Sequence, residues 1–85
     1  MDHTDWTSYV ACFAEEFRAC PCQDELVSAC CGHRDVACVA WHHLQGSAFE
    51  WLRRPIPALD NQMPAQVIAS GNVNTVRSVL WRMPC

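Results

Sequence analysis

Trp51-Leu52-Arg53-Arg54-Pro55-Ile56-Pro57-Ala58-Leu59 is the stretch on which the reading of this chain turns. Trp51 and Leu52 are a large apolar pair closing a short predicted helix over 48–54. Pro55 pushes Arg54 out of the helical region. Pro55 and Pro57 stiffen the turn at little entropic cost. Leu59 is then expected to fold back as an anchor. In the following Asp60-Asn61, Asn61 is the residue type that best tolerates positive φ after glycine. Pro64 suits the first position of the next helix. Val67 and Ile68 are that helix's apolar residues, and Gly71 closes it. Together these residues predict a rigid helical corner suited to presenting a surface.

Outward from the corner, the pattern stays helical. Asn72 is positioned to cap a last helix over 73–83, with Val73, Val76, Val79 or Leu80, and Met83 as its stripe. Upstream, Trp6, Tyr9, Val10, Phe13, Phe17 and Cys20 recur at the i, i+3, i+4, i+7 spacing of one helix face, ended by Pro21. A short helix over 23–31 has Asp24 and Glu25 in its first turn, where the dipole favours acids, and Gly32 past its end. Another over 35–44 puts Val36, Val39, Ala40 and His43 on one face, and Gly46-Ser47 breaks it. No run alternates as a strand would for more than four residues. The expectation is an all-α, single-domain chain over 1–85 with five to six short helices: Cys-rich helices over 1–45, then the corner region over 46–85.

Composition narrows the functional classes. Apolar residues make up 51% of the 85, so a core needs no metal or disulfide; charged residues are only 18%, below the ~25% of an average domain. That deficit points to a dense core or to an apolar surface covered by a partner. Net charge is −3, lysine is absent, and the six arginines are scattered. A nucleic-acid binder needs a basic stripe to neutralise phosphates, so no direct nucleic-acid binding is expected. The opening Met-Asp-His-Thr-Asp is no secretory leader, and no window reaches the ~18 apolar residues of a membrane span. The expected location is the cytoplasm. There the seven cysteines should be thiols, which behave as small buried hydrophobes.

Trp51-Leu52, Pro55, Pro57-Ala58-Leu59, Pro64, Val67-Ile68, Gly71, and Val76 with Leu80 together resemble the toxin-binding domain of the Xre/MbcA/ParS antitoxins of bacteria, over about residues 48–84. The resemblance implies a module that neutralises a cognate toxin by steric binding, has no enzymatic activity and needs no cofactor. It implies a toxin of the NAD-consuming or ADP-ribosylating type. Asn61 stands where the family usually has glycine. The family's Gly-containing tail, which helps occlude the toxin, would start where this chain reads Met83-Pro84-Cys85. Relatives often place a helix-turn-helix ahead of this domain. Gly32, Cys38 and Trp41 echo that motif, yet His33 falls where it wants an aliphatic residue.

The expected partner-binding residues are Trp51, Arg53, Arg54, Leu59, Trp81, Arg82, Met83 and Pro84. Trp81 lies off its helix's stripe beside Arg82, and Trp and Arg are the types enriched at interface hot spots. For Arg53-Arg54, compensation of the helix dipole is the competing explanation. Pairing of two copies through the first helix is a further expectation. Two other functions stand beside the antitoxin reading. One is an orphan interaction or structural protein from a mobile element. The other is a small metal- or redox-sensing protein using Cys20, Cys22, Cys30, Cys31 and His33; Cys-x-Cys is tighter than the usual zinc spacing, which favours free thiols. Cysteine–histidine catalysis would need a walled pocket that so small a helical chain has little room for.

Overall fold

A computed structural model of the chain describes residues 3–83. They form seven α-helices: α1 His3–Ala11, α2 Ala14–Arg18, α3 Gln23–Ala29, α4 Arg34–Leu44, α5 Ala48–Leu52, α6 Pro64–Ala69 and α7 Val73–Arg82. Two 3₁₀ turns, Gln45–Ser47 and Pro57–Leu59, flank α5. The described residues contain no strand; one isolated antiparallel bridge joins Ile56 to Gln62. The all-helical expectation is met. The helix count rises by one because the predicted first helix is divided. At Cys12 and Phe13 the amides reach back three residues, to the Tyr9 and Val10 carbonyls, and close α1; Phe17 then bonds to the Phe13 carbonyl and starts α2. Periodicity was preserved across this break, since Trp6, Phe17 and Cys20 are all buried.

The helix α4 is the axis of the molecule. Val36, Ala37, Cys38, Val39 and Ala40 are consecutive and all buried. A helix hydrophobic on every side must be enclosed on every side, and α1, α2, α3, α5 and α7 all pack on it. Phe17, Leu26, Leu52, Val76 and Leu80 fill the space around it and are almost wholly buried. Each contributes roughly 1.5–3 kcal/mol by leaving water.

The helix ends show why the chain turns where it does. After α3, the Gly32 amide bonds to the Val27 carbonyl and the Cys31 amide to Ser28. After α6, the Asn72 amide bonds to Val67 and the Gly71 amide to Ile68. Both are Schellman closures, which need a left-handed residue just past the helix. At α6 that residue is Gly71, φ 95°. At α3 it is Cys31, φ 56°, with Gly32 following at φ 87°. Sequence reasoning had the turn right and its left-handed residue one position late.

One carboxylate ties the N-terminal helices to the last one. Asp35 Oδ2 accepts a hydrogen bond from Trp6 Nε1 at 2.8 Å and another from Arg77 Nε at 2.8 Å. Burial alone would raise the Asp35 pKa; the Arg77 and Trp6 hydrogen bonds and the Arg77 charge outweigh it and hold the group below the usual carboxylate value. Its contribution to stability is therefore present above the ordinary carboxylate pKa near 4 and is lost as pH falls through the lower folded value. Asp35→Asn is expected to cost about 1.5–3 kcal/mol at neutral pH. Urea unfolding should show that difference shrinking in acid; equal stability of the two proteins at neutral pH would refute the linkage.

Candidate partner-binding site

The corner forms as the sequence predicts. Pro57–Leu59 makes a 3₁₀ turn, then Asp60 and Asn61 both adopt left-handed backbone, φ 55° and 60°. The Asn61 amide bonds to the Ile56 carbonyl at 3.0 Å, and the Ile56 amide to the Gln62 carbonyl at 3.1 Å. Leu59 is 4% exposed and sits in the core. It anchors the corner from inside. Trp51 is half-buried, packed against the core, and Leu52 is fully inside.

The predicted surface residues do not gather into one patch. Arg82 and Met83 line an open groove of about 340 Å³ with Ala58, Thr75, Ser78 and Val79. Its neighbour, a more polar hollow of about 170 Å³, shares Ala58 and Thr75 and reaches Asp60, Gln62 and Asn72. Trp81 points elsewhere, as adjacent helical residues must. At 37% it is the one large exposed apolar side chain among the described residues. Its ring meets Tyr9 of α1 edge-on, with centroids 4.9 Å apart. Arg53 and Arg54 are exposed at the end of α5; Arg54 faces Glu50 at 3.7 Å, an exposed i,i+4 pair that contributes little. Pro84 lies outside the described residues.

Sequence reasoning missed Ala58, Thr75, Ser78 and Val79. The signal for part of the groove was present: Thr75, Ser78 and Arg82 recur at helical spacing on the side of α7 away from buried Val76 and Leu80. The first helix puts its stripe into the fold, as the spacing predicts. Trp6 is buried and Tyr9 supports Trp81.

Residues around Tyr9 fix the end of α7. The Tyr9 hydroxyl lies 2.9 Å from His43 Nε2. A neutral His43 protonated on Nδ1 accepts the Tyr9 O–H there. Beside it, Phe13 stacks flat on His42 with centroids 3.8 Å apart, and His42 Nδ1 is 2.9 Å from Glu16 Oε2. His42 holds Glu16 below the usual carboxylate value, mainly through that hydrogen bond. His43 is pushed below the ordinary imidazole value by burial first and then by the His42 charge, against an opposing interaction with the Leu80 carbonyl.

The cysteines do not converge. Among the described residues no three His, Cys, Asp or Glu side chains are placed to share a metal ion. Within the proposed Cys20, Cys22, Cys30, Cys31 and His33 set, only Cys20 and Cys22 bring their sulfurs together, at 3.5 Å. Burial pushes the Cys30 thiol up to about 12 and the Cys38 thiol up to about 11, so both stay protonated near neutral pH.

A helical corner and a C-terminal helix, with an apolar groove between them and an exposed tryptophan on a separate face of that helix, suit a protein-binding module. The family comparison agrees. Residues 42–84 match the model of the antitoxin Xre/MbcA/ParS C-terminal toxin-binding domain. The chain belongs to that family, and the match starts six residues before the stretch that carries the resemblance in sequence. No curated protein and no solved structure matches the chain. Among the described residues no helix is long and apolar enough to cross a membrane.

Burial of His43, which touches Tyr9 beneath Trp81, is expected to make the end of α7 sensitive to acid. Because the folded His43 pKa is lowered, its contribution is complete above the ordinary value near 6.5 and is lost as pH falls through the folded one. The Trp81 amide resonance should titrate with a midpoint below about 6.5, and Tyr9→Phe should cost about 0.5–1.5 kcal/mol at neutral pH. A Trp81 resonance that ignores pH between neutrality and the carboxylate range would break the proposed link.

Proposed function

We propose that this chain is an antitoxin that neutralises a cognate toxin by steric binding through the groove between the Pro57–Leu59 corner and α7. The observation that carries the reading is this groove, which falls wholly inside the family-matched segment and is walled by Ala58, Val79 and Met83 with Arg82 beside them. An apolar floor with one guanidinium at its edge suits a partner that inserts an apolar side chain and offers an acid to Arg82. Trp81 offers a second contact on the adjoining face of α7, beside Tyr9, and Arg53 and Arg54 add positive charge at the end of α5. Trp51 and Leu59 hold the corner's shape from within.

Steric binding asks nothing of this chain beyond shape, so it acts without a cofactor or catalytic residues of its own. The partner, by family resemblance, is a bacterial toxin of the NAD-consuming or ADP-ribosylating type, met in the cytoplasm. The decisive experiment is co-expression with a toxin of that type, scoring growth and cellular NAD. Val79→Asp places a charge in the groove and should abolish protection. Trp81→Ala should weaken toxin affinity by roughly 30-fold, the loss expected of a hot-spot residue worth ~2 kcal/mol. Both variants should keep wild-type helicity. Full protection by Val79→Asp would exclude the groove, and an unchanged affinity in Trp81→Ala would remove Trp81 from the contact.

A further inference from the structure

Cys20-Pro21-Cys22 is a feature that toxin binding does not use. The Sγ atoms of Cys20 and Cys22 are 3.5 Å apart, in contact but unbonded. The backbone holds them there from both sides. The Cys20 amide bonds to the Phe17 carbonyl at the end of α2, and the Cys22 carbonyl receives the Leu26 amide at the start of α3. Between them Pro21 has φ fixed by its ring. Two sulfurs in contact across a stiff turn have lost most of the freedom that ring closure would otherwise take away. No other pair among the cysteines is in such contact within the described residues.

The two thiols differ in access. Cys22 is half-exposed, and Cys20 is 5% exposed and belongs to the core cluster. We infer that Cys20 and Cys22 are a site of reversible disulfide modification by low-molecular-weight disulfides, with Cys22 as the attacking thiol and Cys20 as the resolving one. The Cys22 thiolate attacks one sulfur of the small disulfide; a Cys22 mixed disulfide forms and one small thiolate leaves. Cys20, deprotonated, then attacks the Cys22 sulfur. The Cys20–Cys22 bond forms, the mixed disulfide breaks and the second small thiolate departs. The chain loses two electrons and two protons, and the small disulfide is reduced to two thiols. Such exchange requires thiolate, sulfur access and a nearby resolving thiol.

Burial, and then the Cys20 sulfur, raise the Cys22 thiol above its ordinary value. Attack is therefore slow at neutral pH and speeds up about tenfold per pH unit while the thiol remains mostly protonated. The reacting corner joins α2 to α3, which carry buried Phe17 and Leu26.

The test uses the full chain, reduced and then exposed to oxidised glutathione. Remaining thiols are capped with a maleimide, and peptides are mapped by mass spectrometry. The peptide holding Cys20 and Cys22 should lose two hydrogens and take up neither glutathione nor maleimide. Exposed Cys12 and Cys31 serve as internal references for simple mixed disulfides. In Cys20→Ser the Cys22 glutathione adduct should persist. In Cys22→Ser, Cys20 should react at least tenfold more slowly than Cys22 does in the wild type. Capture of both Cys20 and Cys22 by maleimide while Cys12 and Cys31 carry glutathione overturns the proposal. So does a stable Cys22 adduct in the wild type, or a bond from either residue to another cysteine. The wild-type map stands even if a variant fails to fold.

Discussion

The arrangement depends on a single carboxylate that is asked to serve two distant donors. Asp35 stands 29 residues from Trp6 and 42 from Arg77, and one of its oxygens accepts from both. An indole N–H and a guanidinium that close to the core are each costly to leave without an acceptor. Only a fold that brings α1, α4 and α7 to one place satisfies both at once. Apolar burial drives collapse around α4 without specifying direction, because Val36 through Ala40 would accept neighbours on any side. The shared carboxylate chooses which helices those neighbours are.

What could be read in the sequence follows from how local the cause is. The corner was legible because each part is set by a residue acting on its own backbone: Pro55 on Arg54, Pro64 on the start of α6, Gly71 on its end. Asn61 was legible for the same reason, as a side chain tolerant of positive φ. The division of the first helix was not. Ala11 through Ala14 includes no proline or glycine, and the apolar spacing continues across it. Its result is visible only in three dimensions, where Phe13 lies flat on His42. The left-handed cysteine at position 31 was hidden by the glycine beside it, which is the ordinary choice for that conformation.

The candidate site was legible in kind and less so in residue. Trp81 and Arg82 were identified together, yet neighbouring helical side chains diverge by about 100°, so one meets Tyr9 and the other enters the groove. Leu59 stands among the candidates by its place in the motif, and the same motif buries it. A family pattern preserves both the residues that touch a partner and those that hold the touching residues in place, and one sequence does not separate the two. Exposure does: Arg82 and Trp81 face outward, whereas Leu59 and Leu52 face the core.

The N-terminal helices then acquire a role that their lack of family resemblance conceals. The matched segment starts at His42, but α7 is held by residues before it: Asp35 pairs with Arg77, Tyr9 supports Trp81, and Tyr9 also meets His43. A binding surface gains from rigidity, since any freedom left in the free state must be given up on binding. The family segment alone has α5, α6 and α7 but neither Trp6, Tyr9 nor Asp35 to fix the last of them. The cysteine-rich half thus supplies stiffness to the binding half. Small buried thiols such as Cys30 and Cys38 suit that task, because they fill tight spaces between short helices without a polar group that demands a strong partner.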